Sequence, residues 1–529
     1  MTRASCRARA TRALGLFAPL VLLVACGTRT GLDEPAVRVD AGVDAFVPPE
    51  CVKDADCAGS GDKCAPVACV GGACVAGPKV ACDDGDPCTD DACQPTTGAC
   101  VSTRRTLDVD GDGHFAPLPG KKAGEPGACG DDCDDTSKLA FPGNKEVCDG
   151  VDNDCNGVVD DDMMYVPQDP TIDAVRVSGL AEAPSSPAGL AWGGTSYLAG
   201  YDGTLSGKTR LLGAFLDPAG NKVGEARISN NTIDALDGRV VWNGANFGTA
   251  WTDRRDGSWE VYFNRLSPKG EKLGPDVKLS EDPTWSINIA MAWTGKEYAL
   301  AWQDQRELDP AFGIWGTRVT FDGAPIGANV RLVDGQGGSP DLAVGKGTLG
   351  LAYTVTAGKR HEIWVSIYDR AYGSVVAPFK VTTATVSGVF PVLVWNVDRY
   401  VVAFYDPDST AKAVWGQAFD EAGKALTPLT KLTESPRFSR YPSLLPLGDR
   451  VLLVWSDTKA GAGGYELYSK MLGADLSPKG AEQRITNAAG DSIFPVSTFG
   501  PSGDIGVLFR DDRLGSMQTY FTRLVCKAM

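Results

Sequence analysis

The feature that most limits the fold is a repeat in the last two thirds of the chain. An aromatic residue recurs at Tyr201, Trp251, Trp302, Tyr353, Phe404, Trp455 and Phe509, at intervals of 50, 51, 51, 51, 51 and 54 residues. A second column precedes it at Trp192, Trp242, Trp293 and Trp395, with Val344 replacing tryptophan once. A third column is a basic–apolar–Ser/Thr triplet. RVS, RIS, KLS, KVT, KLT and RIT start at 176, 227, 278, 380, 431 and 484, and RLV at 331 fills the remaining place. Each unit reads as four short strands; in one they are 290–293, 298–302, 314–320 and 330–333, with FDGAPIG as a turn. Helical periodicity is lacking. About 50 residues and four strands per unit is the arithmetic of a propeller blade. The expectation is an all-β chain with a seven-bladed β-propeller over 170–529. The triplet at 176 comes before the first inner strand, and none follows Phe521. The strand at 174–179 should therefore complete the last blade, which would bring Cys526 near the N-terminal edge of the propeller.

The other end carries a processing signal. Arg3, Arg7, Arg9 and Arg12 precede LGLFAPLVLLVA, an apolar run of 12 residues at 14–25. That is short of the about 20 needed to span a bilayer, and it has the layout of a signal peptide. Leu23, Val24 and Ala25 before Cys26 resemble a bacterial lipobox. The resemblance implies lipidation of Cys26, with palmitate among the acyl groups, and cleavage just before it. Gly27 in place of Asp suggests an outer-membrane lipoprotein facing the periplasm or the cell surface, with the membrane as a partner through the lipid. Residues 27–50 carry three prolines and no period, and read as a flexible linker.

Charge and cysteine are both concentrated behind that linker. The formal net charge is −16. Residues 51–162 hold 23 acidic and 9 basic side chains, so the acidity is local. Local acidity points to bound cations and argues against a nucleic-acid partner. Nine cysteines lie between 51 and 100, four between 129 and 155, and the last is Cys526. In an exported chain these fourteen read as disulfides. Nine and one are both odd, so a tie between Cys526 and the N-terminal region would balance the count. Residues 51–103 have too few large apolar side chains for a core and read as a disulfide module. Its second half, with Cys82, Cys88, Cys93 and Cys100, resembles a Cys-rich repeat of myxobacterial surface proteins.

Residues 104–165 hold two segments with calcium-loop spacing. DVDGDGHF offers Asp108, Asp110 and Asp112 before Gly113; DNDCNGVVD offers Asp152, Asp154 and Asn156 before Gly157, then Asp160. Alternate oxygens in a tight turn suit a hard cation, and glycine at position six permits the turn. Val158 would add a backbone carbonyl at position seven. Position twelve holds Pro119 and Met163 instead of a bidentate Glu, so these are not complete EF-hands. Asp131, Asp132, Asp134 and Asp135 of CGDDCDD are placed to supply the missing oxygens from another turn. Residues 107–162 also resemble the MopE-like Asp/Cys metal-binding repeat, through Cys133, Pro142, Gly143, Glu146, Cys148 and Cys155. That family's name implies copper. With His114 and His361 the only histidines, the donors here favour Ca2+ over copper.

On the propeller an Asp recurs two residues after the aromatic at Asp253, Asp304, Asp406, Asp457 and Asp511, with Arg255, Arg306 and Arg513 nearby. A ring of these on one face could bind a glycan or a protein. A residue repeated in five blades is more simply a fold determinant accepting turn N–H groups. The basic residue of the triplet reads as edge protection. Three functions stay open: a surface binding or adhesion propeller on a calcium-stabilised, disulfide-rich support; an extracellular glycan hydrolase; and a copper-binding or scavenging lipoprotein. Two carboxylates at the channel mouth, outside the repeating columns, would favour the hydrolase.

Overall fold

The computed structural model describes residues 50–57, 62–148, 151–158, 160, 163–168, 174–179, 182–229, 233–281, 284–306, 312–408, 412–435, 438–459 and 464–528. The segments read as a signal peptide, lipidated Cys26 and linker lie outside the described residues apart from Glu50. No helix among the described residues is long and apolar enough to cross a membrane.

The chain forms two compact units, one of residues 1–83 with 91–101 and one of 84–90 with 102–529. In the first, the hairpin Val67–Val70 with Ala73–Ala76 is tied by Cys51–Cys69, Cys57–Cys74, Cys64–Cys93 and Cys82–Cys100. Its strands are largely exposed, so cross-links replace a core.

The second unit contains a seven-bladed propeller. Six sheets are consecutive four-stranded meanders; blade 1, for example, runs Glu182–Trp192, Tyr197–Leu205, Lys208–Leu216 and Lys222–Arg227. Blade 7 has Ser492–Phe499, Ile505–Asp511 and Gln518–Ala528, and takes its outer strand from upstream. Val175–Arg176 pairs with Tyr520 and Phe521, inside the segment expected from the offset triplets. Met163–Pro167 pairs with 524–528 of the same strand. That second piece corrects the boundary at 170: the propeller begins at Met163. A third strand of 11 residues is longer than one short partner can cover, so two pieces share its edge.

Seven apolar clusters, each shared by two adjacent blades, form the core; one contains both Val177 and Tyr197 with Leu508 and Phe521, and so closes the ring. The aromatic column is its centre, with Trp251, Trp302 and Trp455 fully buried. The triplet column has a different task from the one expected. Its hydroxyl accepts an N–H from the third strand, as Ser280 does from Val261 (2.8 Å), Thr433 from Val414 (3.0 Å) and Thr486 from Leu467 (2.9 Å). In three blades its basic residue pairs with an acid at or near the start of that strand, Lys278–Glu260 (3.3 Å), Lys380–Glu362 (3.1 Å) and Arg484–Glu466 (2.9 Å). The column therefore extends each ladder beyond its backbone bonds, and edge protection is not its main role.

Two disulfides resolve the odd cysteines: Cys88 pairs with Cys129 and Cys148 with Cys526, while Cys133–Cys155 closes the acidic segment. Cys148–Cys526 spans 378 residues and bolts that segment to the third strand of blade 7. Gly503, in the turn between the first two strands of that blade, packs so closely on the Cys148 carbonyl that no side chain fits there. The acidic segment thus sits on the face where first strands end and third strands finish.

Candidate functional site

In the first acidic loop Asp108 uses both carboxylate oxygens, and Asp110 and Asp112 one each, to shape the turn. Asp108 accepts N–H groups of Gly111 (2.6 Å) and Gly113 (3.1 Å), Asp110 that of Asp112 (3.1 Å), and Asp112 that of His114 (2.8 Å). Gly113 makes this possible with φ 98°, a conformation that favours glycine. The three carboxylates come within 4.8 Å of one another. Asp132 of CGDDCDD lies near enough to feel the charges of Asp110 and Asp112; its side chain is buried and one oxygen accepts the Asp134 N–H (2.8 Å). The remaining oxygens of Asp110, Asp112 and Asp132 are buried without a hydrogen-bond partner. Burial, then the charges of Asp112, Asp110 and Asp135, pushes the Asp132 carboxyl up to about 6. Unpartnered buried carboxylate oxygens turned on one another are costly unless a cation lies between them. The all-oxygen donor set fits Ca2+. Asp135 steadies the loop by accepting the Val109 N–H (3.0 Å). His114, the one imidazole in this segment, stacks on Phe141 and contacts Asp131 (3.2 Å).

The second loop is organised differently. Asp152 accepts the N–H groups of Asn156 (3.1 Å) and Gly157 (2.7 Å), Asp154 that of Asn156 (3.0 Å), and Asn156 that of Val158 (2.8 Å). The carboxylate grouped with Asp152 and Asp154 is Glu146, which also accepts the Asp154 N–H (2.9 Å). Asp160 is buried, and its charge helps raise the Tyr165 hydroxyl, after burial itself. Sequence spacing led to Asp160 as a ligand; the fold brings Glu146 to the cluster and Asp160 to the blade-7 outer strand.

The recurrent propeller Asp residues are not a binding ring. Asp253, Asp304, Asp406, Asp457 and Asp511 are all buried. Trp251, Trp302 and Trp455 donate their indole N–H to Asp253 (3.1 Å), Asp304 (2.7 Å) and Asp457 (3.0 Å). Arg255, Arg306 and Arg513 pair with the Asp two residues before them and lie over Tyr262, Trp315 and Tyr520. Each set is complete within its blade, so a ligand would meet saturated carboxylates.

The variable residues lie next to them. Every inner strand from blade 2 to blade 7 bulges near its start, at a non-glycine residue with positive φ: Asp237, Asn288, Ser339, Phe390, Tyr441 and Phe494, between 47° and 57°. Four of the six precede a proline, whose missing N–H suits a bulge. Beside them, one position after the buried aromatic, stand Asp202, Thr252, Gln303, Thr354, Tyr405, Ser456 and Arg510. The side chains vary in these two columns, with aromatics at three of the six bulges, although the backbone repeats. They surround the channel mouth, on the face opposite the acidic segment. Two carboxylates here lie outside the repeating Asp column: Asp202 accepts the Asp237 N–H (2.9 Å) and Asp237 the Asn288 N–H (3.2 Å), stapling successive blades. Burial, then the charge of Asp237, raises the Asp202 carboxyl to about 8. Two cavities of about 400 and 710 Å³ open here, with Ser339 and Phe390 lining both. The sequence carried a signal for these residues, variation at fixed register beside the conserved-type columns, but not the bulge that turns them to the channel.

Residues 132–161 match the profile of the MopE-type copper-binding family, described as "Putative metal-binding motif", and residues 81–104 match a Dictyostelium (slime mold) repeat. No curated protein matches the chain. Among solved structures the chain is similar to an endo-arabinase from Bacteroides thetaiotaomicron, at 10% identity over 44% of this chain and 92% of that one, with a TM-score of 0.31. It is also similar to a Xanthomonas citri GH43_1 enzyme complexed with xylose, at 11% identity over 45% and 87%, with a TM-score of 0.29. A Trypanosoma rangeli sialidase mutant displaying trans-sialidase activity is 9% identical over 68% and 59%, with a TM-score of 0.41.

Proposed function

We propose that this chain is an outer-membrane lipoprotein, attached through Cys26, whose propeller is a binding head braced by a calcium-loaded segment at 104–162. The observation that carries the reading is the cluster of Asp108, Asp110 and Asp112, with buried, unpartnered oxygens on Asp110, Asp112 and the nearby Asp132, in a segment bolted to blade 7 by Cys148–Cys526. A bound Ca2+ would supply neutralising charge there. Asp108, Asp110, Asp112 and Asp132 hold the first position, and Glu146, Asp152 and Asp154 are the carboxylates at the second. The role is mechanical: the segment fixes one face of the propeller and leaves the channel mouth open on the other.

Calorimetry on the oxidised chain from residue 50 tests the metal. Heat with Ca2+ at or below about 1 mM, the range of extracellular calcium modules, is expected. No heat, or a preference for Cu2+, overturns calcium. A fragment of 104–165 is unsuitable, because Cys129 and Cys148 would lose their partners. Cys26→Ala should abolish palmitate labelling in cells, and unchanged labelling overturns the anchor. The glycan-hydrolase reading keeps one specific support, the Asp202 and Asp237 carboxylates at the channel mouth.

A further inference from the structure

The geometry points to a neutral oligosaccharide site at the channel mouth on blades 3 to 5, centred on Phe390; this rests on reading the propeller as a binding head. Phe390 stands at the bulge that blades 2 to 7 share and is set apart by how much of it is exposed there. Its backbone is left-handed, with φ 51°, which costs of order 1–3 kcal/mol for a non-glycine residue. Its ring is nevertheless 50% exposed. Tyr405 stacks on it at 6.0 Å with an interplanar angle of 12°, and Tyr441 meets it edge-on at 6.3 Å. Tyr441 in turn packs on Phe494 at 4.0 Å. The platform is therefore rigid, and the bulge shared with the other blades presents an aromatic ring to solvent inside a cavity.

The rest of the lining is polar and uncharged for the most part. Gln303 has its Oε1 fixed by the Asn288 amide (2.8 Å), so Nε2 is the end that can donate into the cavity. Thr354 Oγ1 is buried at the cavity wall without a hydrogen-bond partner. Asp408 lines the same space and accepts the Ser387 hydroxyl (2.6 Å). No Lys or Arg is among the described residues that line this cavity. His361 is the one described lining residue able to carry positive charge, and Asp408 brings a carboxylate to the same space, so an anionic ligand such as a phosphate or a sialic acid would find no guanidinium or ammonium there, and a lipid would leave the amide and hydroxyls unpaired. A pyranose has what the lining lacks: an apolar C–H face to lie on an aromatic ring, and an edge of hydroxyls that donate and accept. The volume of about 710 Å³ lies within the ~300–1,000 Å³ usual for small-molecule sites.

The test uses the whole chain from residue 50, loaded with Ca2+, and hexasaccharides of glucose, xylose, mannose and N-acetylglucosamine. Saturation-transfer NMR at about 1 mM sugar should show binding of at least one. Phe390→Gly is the decisive variant: glycine relieves the positive φ, so the melting temperature should hold or rise, while affinity falls by at least about tenfold. Gln303→Ala should weaken binding without moving the melting temperature. No transfer to any of the four sugars, or affinity unchanged in Phe390→Gly, overturns the proposal. Cleavage of a bound sugar would leave the site standing and overturn the binding-head reading instead.

Discussion

Single residues in this propeller matter in proportion to the donors they hold. Asp457 accepts the Trp455 indole N–H, the Ser435 and Ser439 hydroxyls (both 2.7 Å) and the Lys459 N–H (2.8 Å). Asp457→Ala strands all four in a dry site. A loss of about 3 kcal/mol is expected, read from urea unfolding of the variant beside the parent. Asp202 makes the opposite case. Its carboxyl is raised from an ordinary 3.8 to about 8, first by burial and then by Asp237. Between those values the folded chain keeps a proton that the unfolded chain has lost, so stability falls as pH rises through the window and the full penalty applies above it. Asp202→Asn should flatten that part of the thermal-stability profile; an unchanged slope would assign the effect elsewhere. The Asp column was legible in the sequence because a determinant needed in every blade repeats. The Phe390 column was not, because its backbone repeats while its side chain changes from Asp, Asn and Ser to three aromatics.

At the scale of elements, the last blade depends on strands that precede the first. Tyr520 and Phe521 face Arg176 and Val175, and 524–528 face Met163–Pro167. A chain starting at 170 keeps the first pairing and loses the second. Its melting temperature should fall well below that of the chain from residue 50, with hydrogen exchange fastest in 524–528; equal protection would show that Met163–Pro167 is dispensable. The offset of the RVS triplet at 176 made the first closure readable from sequence. The second was hidden because MMYVP lies beside the aspartates and carries no column residue. The acidic loops show the same divide. Local spacing identifies Asp108, Asp110 and Asp112, since one turn brings them together, whereas Glu146 precedes the second loop and falls outside the calcium-loop spacing that points to Asp152 and Asp154.

For the whole molecule, the seven shared clusters mean that the propeller supports itself once its ring is closed. Chelating calcium should therefore speed hydrogen exchange in 107–113 and 131–135 while the inner strands stay protected. Loss of protection throughout would show that the acidic segment holds the entire ring together. The Cys148–Cys526 bond also settles how the ring meets force. Cys526 stands opposite Tyr165 in the closing pair of strands, so a pull on the chain ahead of Cys148 arrives beside the seam and moves both of its edges together. Tension between the chain ahead of Cys148 and the far face of the propeller then crosses a covalent bond and the blade cores. It does not peel the outer strand away one hydrogen bond at a time. Reduction of that single bond would convert a ring loaded in shear into one that opens like a zip.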